Sequence, residues 1–125
     1  MEQILAHLVG DYILQTDRMA MQKTKSWLWA CIHAFVYTLP FLFITRSPLA
    51  LFAMFWTHAV IDHYRLARYV IAAKNALTDW DSRAEFFSSS TGYSTQAPVW
   101  MTTWLFIIAD NTLHLLINYA AIRWL

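Results

Sequence analysis

The chain has 125 residues, a net charge of +1, 58% hydrophobic and 14% charged residues, and 17% aromatics with seven Trp. That length allows one domain, and charge this sparse lies well below the quarter or so usual in water-soluble domains. No basic stripe marks a nucleic-acid footprint, no nucleic-acid partner is expected, and the one cysteine, Cys31, excludes an intramolecular disulfide.

With two Gly and three Pro, turn signals are scarce and long helices are expected. The pattern predicts an all-α fold, an integral membrane bundle of four helices in a single membrane domain. The first covers about residues 2–20 and is short for a span, which needs ~20 apolar residues; nothing between Gln15 and Met21 reads as a helix breaker. Its start lacks the basic residues of a secretory signal, and His7 and Asp11 interrupt the apolar run, so it reads as part of the mature protein. The second helix covers 26–45, with a kink expected near Val36 because Pro40 lies inside it. The third covers 48–74, opened by Pro48 at a favourable first-turn position, and the fourth covers 98–123. Between the last two lies a loop, about 75–97, whose SSSTGYSTQ stretch reads as surface segment. No alternating pattern of strand length occurs.

Arg18, Lys23, Lys25, Arg65, Arg68, Lys74 and Arg83 fall on one side of such a bundle, and Arg46 and Arg123 on the other. The bias puts the first group in the cytoplasm. The expected location is the bacterial inner (cytoplasmic) membrane, multi-pass, with membrane lipid as partner. Four helices bury little surface, so a homo-oligomer is also expected.

The apolar helices carry ionisable residues. His7 and Asp11 are four apart, with Gln15 one turn further; His33 lies in the second helix; His58 and Asp62 are four apart in the third, and Asp110 and His114 in the fourth. Residues four apart share a helix face. An acidic side chain facing lipid costs about 2.5–3.5 kcal/mol at a helix centre, so these groups should face one another inside the bundle. Imidazole and carboxylate suit a divalent metal, zinc foremost with manganese or iron as alternatives, and helix bundles build such sites from facing side chains. The expected metal ligands are His7, Asp11, His33, His58, Asp62, Asp110 and His114. Seven exceed the four of one zinc ion, so either two metals bind or some Asp orient His ligands. Without a metal, the same set would be a polar network pinning the helices, or a proton or ion path.

Around this set, Gln15, Asn118 and His63 are candidates to support the ligands, Arg65 and Arg68 to hold a lipid phosphate at the mouth of the site, and Gly10 to permit close helix approach.

The motifs H-L-V-G-D-Y-I-L-Q (His7 to Gln15), H-A-V-I-D (His58 to Asp62) followed by R-L-A-R, the His33 helix with V-Y-T-L-P, and D-N-x-x-H (Asp110 to His114) resemble an uncharacterised family of small bacterial and phage integral membrane proteins. The family's last motif reads D-Q-x-x-H, from which Asn111 departs. The resemblance covers nearly the whole chain and implies a membrane protein of phage or prophage origin, without a reaction. A looser likeness is to membrane-bound metal-dependent hydrolases. The resulting expectation is a metal-dependent hydrolase of lipid or lipid-linked substrates, with Asp11, Asp62 or Asp110 as catalytic base. A non-enzymatic phage protein acting in superinfection exclusion or host modulation, with a structural His/Asp site, is the alternative; an ion or metal transporter is the third reading.

Overall fold

The computed structural model describes residues 1–125, and its regular structure is all helical, without a strand. Seven α-helices follow one another: α1 (Glu2–Leu8), α2 (Asp17–Gln22), α3 (Trp27–Thr38), α4 (Pro48–Tyr64), α5 (Ala67–Thr78), α6 (Arg83–Ser88) and α7 (Val99–Trp124). A π-helical segment, Val9–Ile13, continues α1, and a 3-10 segment, Leu39–Phe43, continues α3. The chain forms two compact units, residues 1–64 with 114–125 and residues 65–113, and the division falls inside α7.

Three of the expected helices differ in detail. The first is not continuous to Met21. Thr16 takes extended backbone (φ −79°, ψ 160°) and its side chain accepts from the Met19 N–H at 3.3 Å, capping a new helix, α2. A threonine before an aspartate is a helix-start signal, and here it wins over continuity. Near Val36 the second helix keeps its α geometry; it tightens only from Leu39, where Pro40 lacks the N–H of an α-helical bond and a 3-10 turn follows. The third helix ends at Tyr64, because Arg65 adopts φ 52°. A left-handed non-glycine residue is costly, so the break carries no Gly or Pro signal in sequence. The fourth helix has the expected extent.

In the first unit, α3 and α4 pack along each other, with Ala30, Ala34, Ala50 and Ala59 wholly buried. Small side chains let helix backbones approach closely. Tyr37, Phe41 and Met54 fill the core with Ala6 and Ala121. Gly10 belongs to the same contact. A Cβ there would lie 2.7 Å from Tyr37 Cδ2 and 2.9 Å from the Tyr37 carbonyl oxygen, so only glycine lets the π segment lie against α3.

Many large apolar side chains of this unit face outward. Leu28, Phe35, Phe43, Phe52 and Trp56 are exposed, whereas His7, Asp11, His33, His58, Asp62, His114 and Asn118 are buried. By length and composition one helix, α7, is apolar enough to cross a membrane, at a mean hydropathy of 1.4. The apolar run Trp27–Phe43 is shorter than that test requires.

In the second unit, α5 turns Ala72 and Ala76 onto Phe86 of α6. Gly92 at φ 80° closes the following turn where a Cβ would meet the Arg68 carbonyl oxygen at 2.3 Å. Glu85 ties this loop. Its Oε1 accepts from the Thr95 N–H at 2.6 Å and from the hydroxyls of Thr95 and Ser94, both at 2.8 Å. These bonds hold its carboxyl below the usual glutamate range.

Candidate metal centre

Three segments of the first unit bring four side chains to a common point: Asp11 from the π segment, His33 from α3, and His58 and Asp62 from α4. The π segment has a physical role in this. A single π turn re-aims side chains and recurs at functional sites, and here it delivers Asp11 to the interior beside Gly10. His58 and Asp62 reach the point together because one helical turn puts them on one face.

The four donor atoms are the Nε2 atoms of His33 and His58 and one oxygen of each aspartate. His33 Nε2 lies 3.1 Å from Asp11 Oδ1, 3.2 Å from Asp62 Oδ2 and 3.0 Å from His58 Nε2. His58 Nε2 lies 3.2 Å from Asp62 Oδ2 and 3.4 Å from Asp11 Oδ1. A tetrahedron with metal–ligand distances of 2.0–2.1 Å has edges of about 3.3–3.4 Å. Five of the six edges of this donor set therefore fall at or just under the zinc value. Two ring nitrogens at 3.0 Å share at most one proton between them, whereas a cation among the four donors satisfies every lone pair. These buried groups can hold a metal ion.

Two further histidines stand one layer out, on the oxygens the tetrad does not use. His7 Nε2 is 3.7 Å from Asp11 Oδ2, and His114 Nε2 is 3.3 Å from Asp62 Oδ1. His7 is itself held: its Nδ1 is 2.8 Å from the Tyr37 hydroxyl, which also accepts from Asn118 Nδ2. Tyr37 also stacks on the His58 ring, centroids 3.6 Å apart and planes 14° apart. The Nδ1 atoms of His33 and His58 have no hydrogen-bond partner, so His58 takes its orientation from this stacking rather than from the usual acceptor behind a ligating ring.

Lys23, at the end of α2, completes the cluster. Its ammonium lies 2.7 Å from Asp62 Oδ2 and 3.4 Å from His33 Nε2.

The other expected site residues are placed as follows. His63 is half-buried, donates from Nδ1 to the Lys23 carbonyl at 2.9 Å and lies tilted against the Trp27 ring; it reaches the cluster through Lys23. Gln15 Oε1 is enclosed and accepts no hydrogen bond. Asn118 serves Tyr37. Asp110 stands one turn before His114 on α7, half-buried, in the second unit. Arg65 and Arg68 also belong to the second unit, where Arg65 donates to the Ser90 carbonyl and covers the Phe106 ring, and Arg68 covers Tyr69.

Two residues escaped the sequence reading. Tyr37 had a signal, since it follows His33 by one turn and shares its face. Lys23 had none. It pairs with a residue 39 positions away, and its place between two helices reads as an ordinary interfacial charge.

Residues 1–123 match the family described as Protein of unknown function (DUF3307). The chain belongs to this family. No curated protein and no solved structure matches it. The DUF3307 match spans every residue of the tetrad together with His7, Tyr37, His114 and Lys23.

Proposed function

We propose that this DUF3307 protein is a membrane-embedded zinc protein that hydrolyses a lipid or lipid-linked substrate. The observation that carries the reading is the tetrad of Asp11, His33, His58 and Asp62, with donor separations matched to one small tetrahedral ion. Two imidazoles and two carboxylates also suit manganese and iron, but the short edges favour zinc.

The membrane setting draws on the exposed apolar side chains around the buried ionisable cluster of the first unit, and on α7 as a candidate span. Charged groups inside a bilayer face one another and mark functional sites. An apolar groove of about 250 Å³ between α3 and α4, lined by Phe35, Leu39, Leu42, Phe52 and Phe55, offers an acyl chain a surface on the same unit.

A bound zinc ion would lower the pKa of a water to about 7 and polarise a scissile ester. The chain's own residues do the rest. His7 and His114 hold the outer oxygens of Asp11 and Asp62, so each carboxylate presents its inner oxygen to the centre. Asp11 or Asp62 would serve as the base that takes a proton from an attacking water.

The test is incubation of zinc-loaded protein with extracted bacterial membrane lipids, followed by mass spectrometry of the products. Zinc-dependent loss of a lipid species with wild type and not with Asp11→Asn is expected. An unchanged lipid profile under zinc would overturn the hydrolase reading.

One observation favours a second reading, a structural ion. Four protein donors already complete a tetrahedron, and a structural zinc site is closed whereas a catalytic one keeps an open position. Cobalt substitution separates the two: a spectrum insensitive to added small anions supports the closed site.

A further inference from the structure

We infer that Lys23 is an anion-binding residue of the metal centre, and that the group it takes is a phosphate. This inference rests on the metal-centre reading and deepens it by naming a substrate class.

Three observations support it. The first is position. Lys23 Nζ lies 2.7 Å from Asp62 Oδ2, a donor atom of the tetrad, and 3.4 Å from His33 Nε2, so a group bound to that ammonium sits beside the ion. The second is access. The Lys23 side chain is 19% exposed, against 10% or less for each of the four tetrad side chains. Of the side chains at the donor atoms, it is the one that reaches outward. The third is the mount. The Lys23 N–H bonds the Met19 carbonyl at 2.9 Å, closing α2. Its own carbonyl accepts from His63 Nδ1 at 2.9 Å, and the His63 ring lies tilted against Trp27, centroids 4.3 Å apart. The backbone is thus held from both sides, and the four-carbon stem alone moves.

Charge then selects the ligand. A divalent ion balances Asp11 and Asp62, and the two imidazoles add no charge when ligating. The Lys23 ammonium, paired with Asp62 Oδ2, adds one positive charge beside those donors. A lysine ammonium is a compact point charge with three donors, a common phosphate binder. A carboxylic ester brings no full negative charge to this point, whereas a phosphate ester brings a non-bridging oxygen that bonds Lys23 while another faces the ion.

The experiment uses the full chain in detergent, loaded with Co²⁺, whose visible absorption reports the ligand environment. Wild type, Lys23→Gln and Lys23→Arg are titrated with inorganic phosphate and, separately, with micelles containing phosphatidic acid. Wild type is expected to show a saturable spectral change. Lys23→Gln, with full cobalt content, should weaken it about ten- to a hundredfold, the usual range for losing a charge-assisted bond, and Lys23→Arg should restore part of it. A response to phosphate alone assigns a soluble phosphate, and a response to phosphatidic acid at lower concentration assigns a lipid headgroup; either supports the inference. Equal phosphate affinity in wild type and Lys23→Gln overturns it, as does a cobalt-loaded wild type that ignores both anions; in both cases the metal centre stands. Failure to take up cobalt overturns the metal centre itself, and this inference with it.

Discussion

At the scale of single residues, the cluster sorts its histidines by which oxygen they meet. His33 and His58 meet the inner oxygens of both aspartates; His7 and His114 each meet the outer oxygen of one. Loss of an inner donor should therefore differ in kind from loss of an outer one. Asp62→Asn or His58→Ala should abolish stoichiometric metal binding. His7→Ala should leave a bound ion with affinity reduced about 10- to 100-fold, the usual effect of removing a residue that orients a ligand. Competition against a chelating dye distinguishes the two. Tyr37→Phe removes the hydroxyl that bonds both His7 and Asn118 in the buried core. It should destabilise the protein by about 1–3 kcal/mol, read from unfolding midpoints in detergent. These residues also mark the limit of what is legible in sequence. The His and Asp positions stand out because an ionisable residue in an apolar helix is conspicuous. The division of labour among them does not, because it depends on which oxygen each ring meets.

At the scale of elements, the π segment and the breaks matter most. Asp11 reaches the tetrad because Gly10 lies against Tyr37 with no room for a Cβ. Two of the obstructing atoms are backbone, so Gly10→Ala cannot be relieved by a rotamer change. It should cost about 1–3 kcal/mol of stability, as overpacking does, and should weaken metal binding by displacing Asp11; thermal unfolding with and without zinc measures both. Sequence periodicity located the apolar helices, whose inner faces repeat every turn. It missed the interruption at Arg65, where a left-handed arginine leaves no composition signal, and the start of α2, where Thr16 was the available cue. In the second unit, Glu85 holds the Ser94–Thr95 turn, and its carboxyl is kept below the usual range by those donors. A depressed folded value means that the ionised form is favoured by folding. The stabilisation is complete above the unfolded value of about 4.3 and is lost as pH falls through the lower folded one. Hydrogen exchange at residues 92–97 should be flat from neutral pH down to about 5, after correction for intrinsic rates, and rise in stronger acid. Glu85→Gln should raise it already at neutral pH.

At the scale of the molecule, the all-helical architecture follows from the composition, and one helix, α7, has the length and hydropathy of a membrane span. The exposed Phe35, Phe43, Phe52 and Trp56 around a buried ionisable core predict that the protein stays with the membrane through an alkaline carbonate wash; release into the supernatant would count against the membrane setting. A centre that joins the π segment, α3 and α4 also couples binding to folding. An ion present at a thousand times its dissociation constant stabilises by about 4 kcal/mol, so chelation should lower the unfolding temperature of wild type and leave that of Asp62→Asn unchanged. The central claim is that Asp11, His33, His58 and Asp62 share one ion. Its most direct test is metal content by mass spectrometry on purified, zinc-loaded protein, wild type beside His33→Ala and Asp62→Asn. The account predicts one zinc per wild-type chain and none in either variant. Folded wild type that takes up no metal, or variants that keep it, would contradict it.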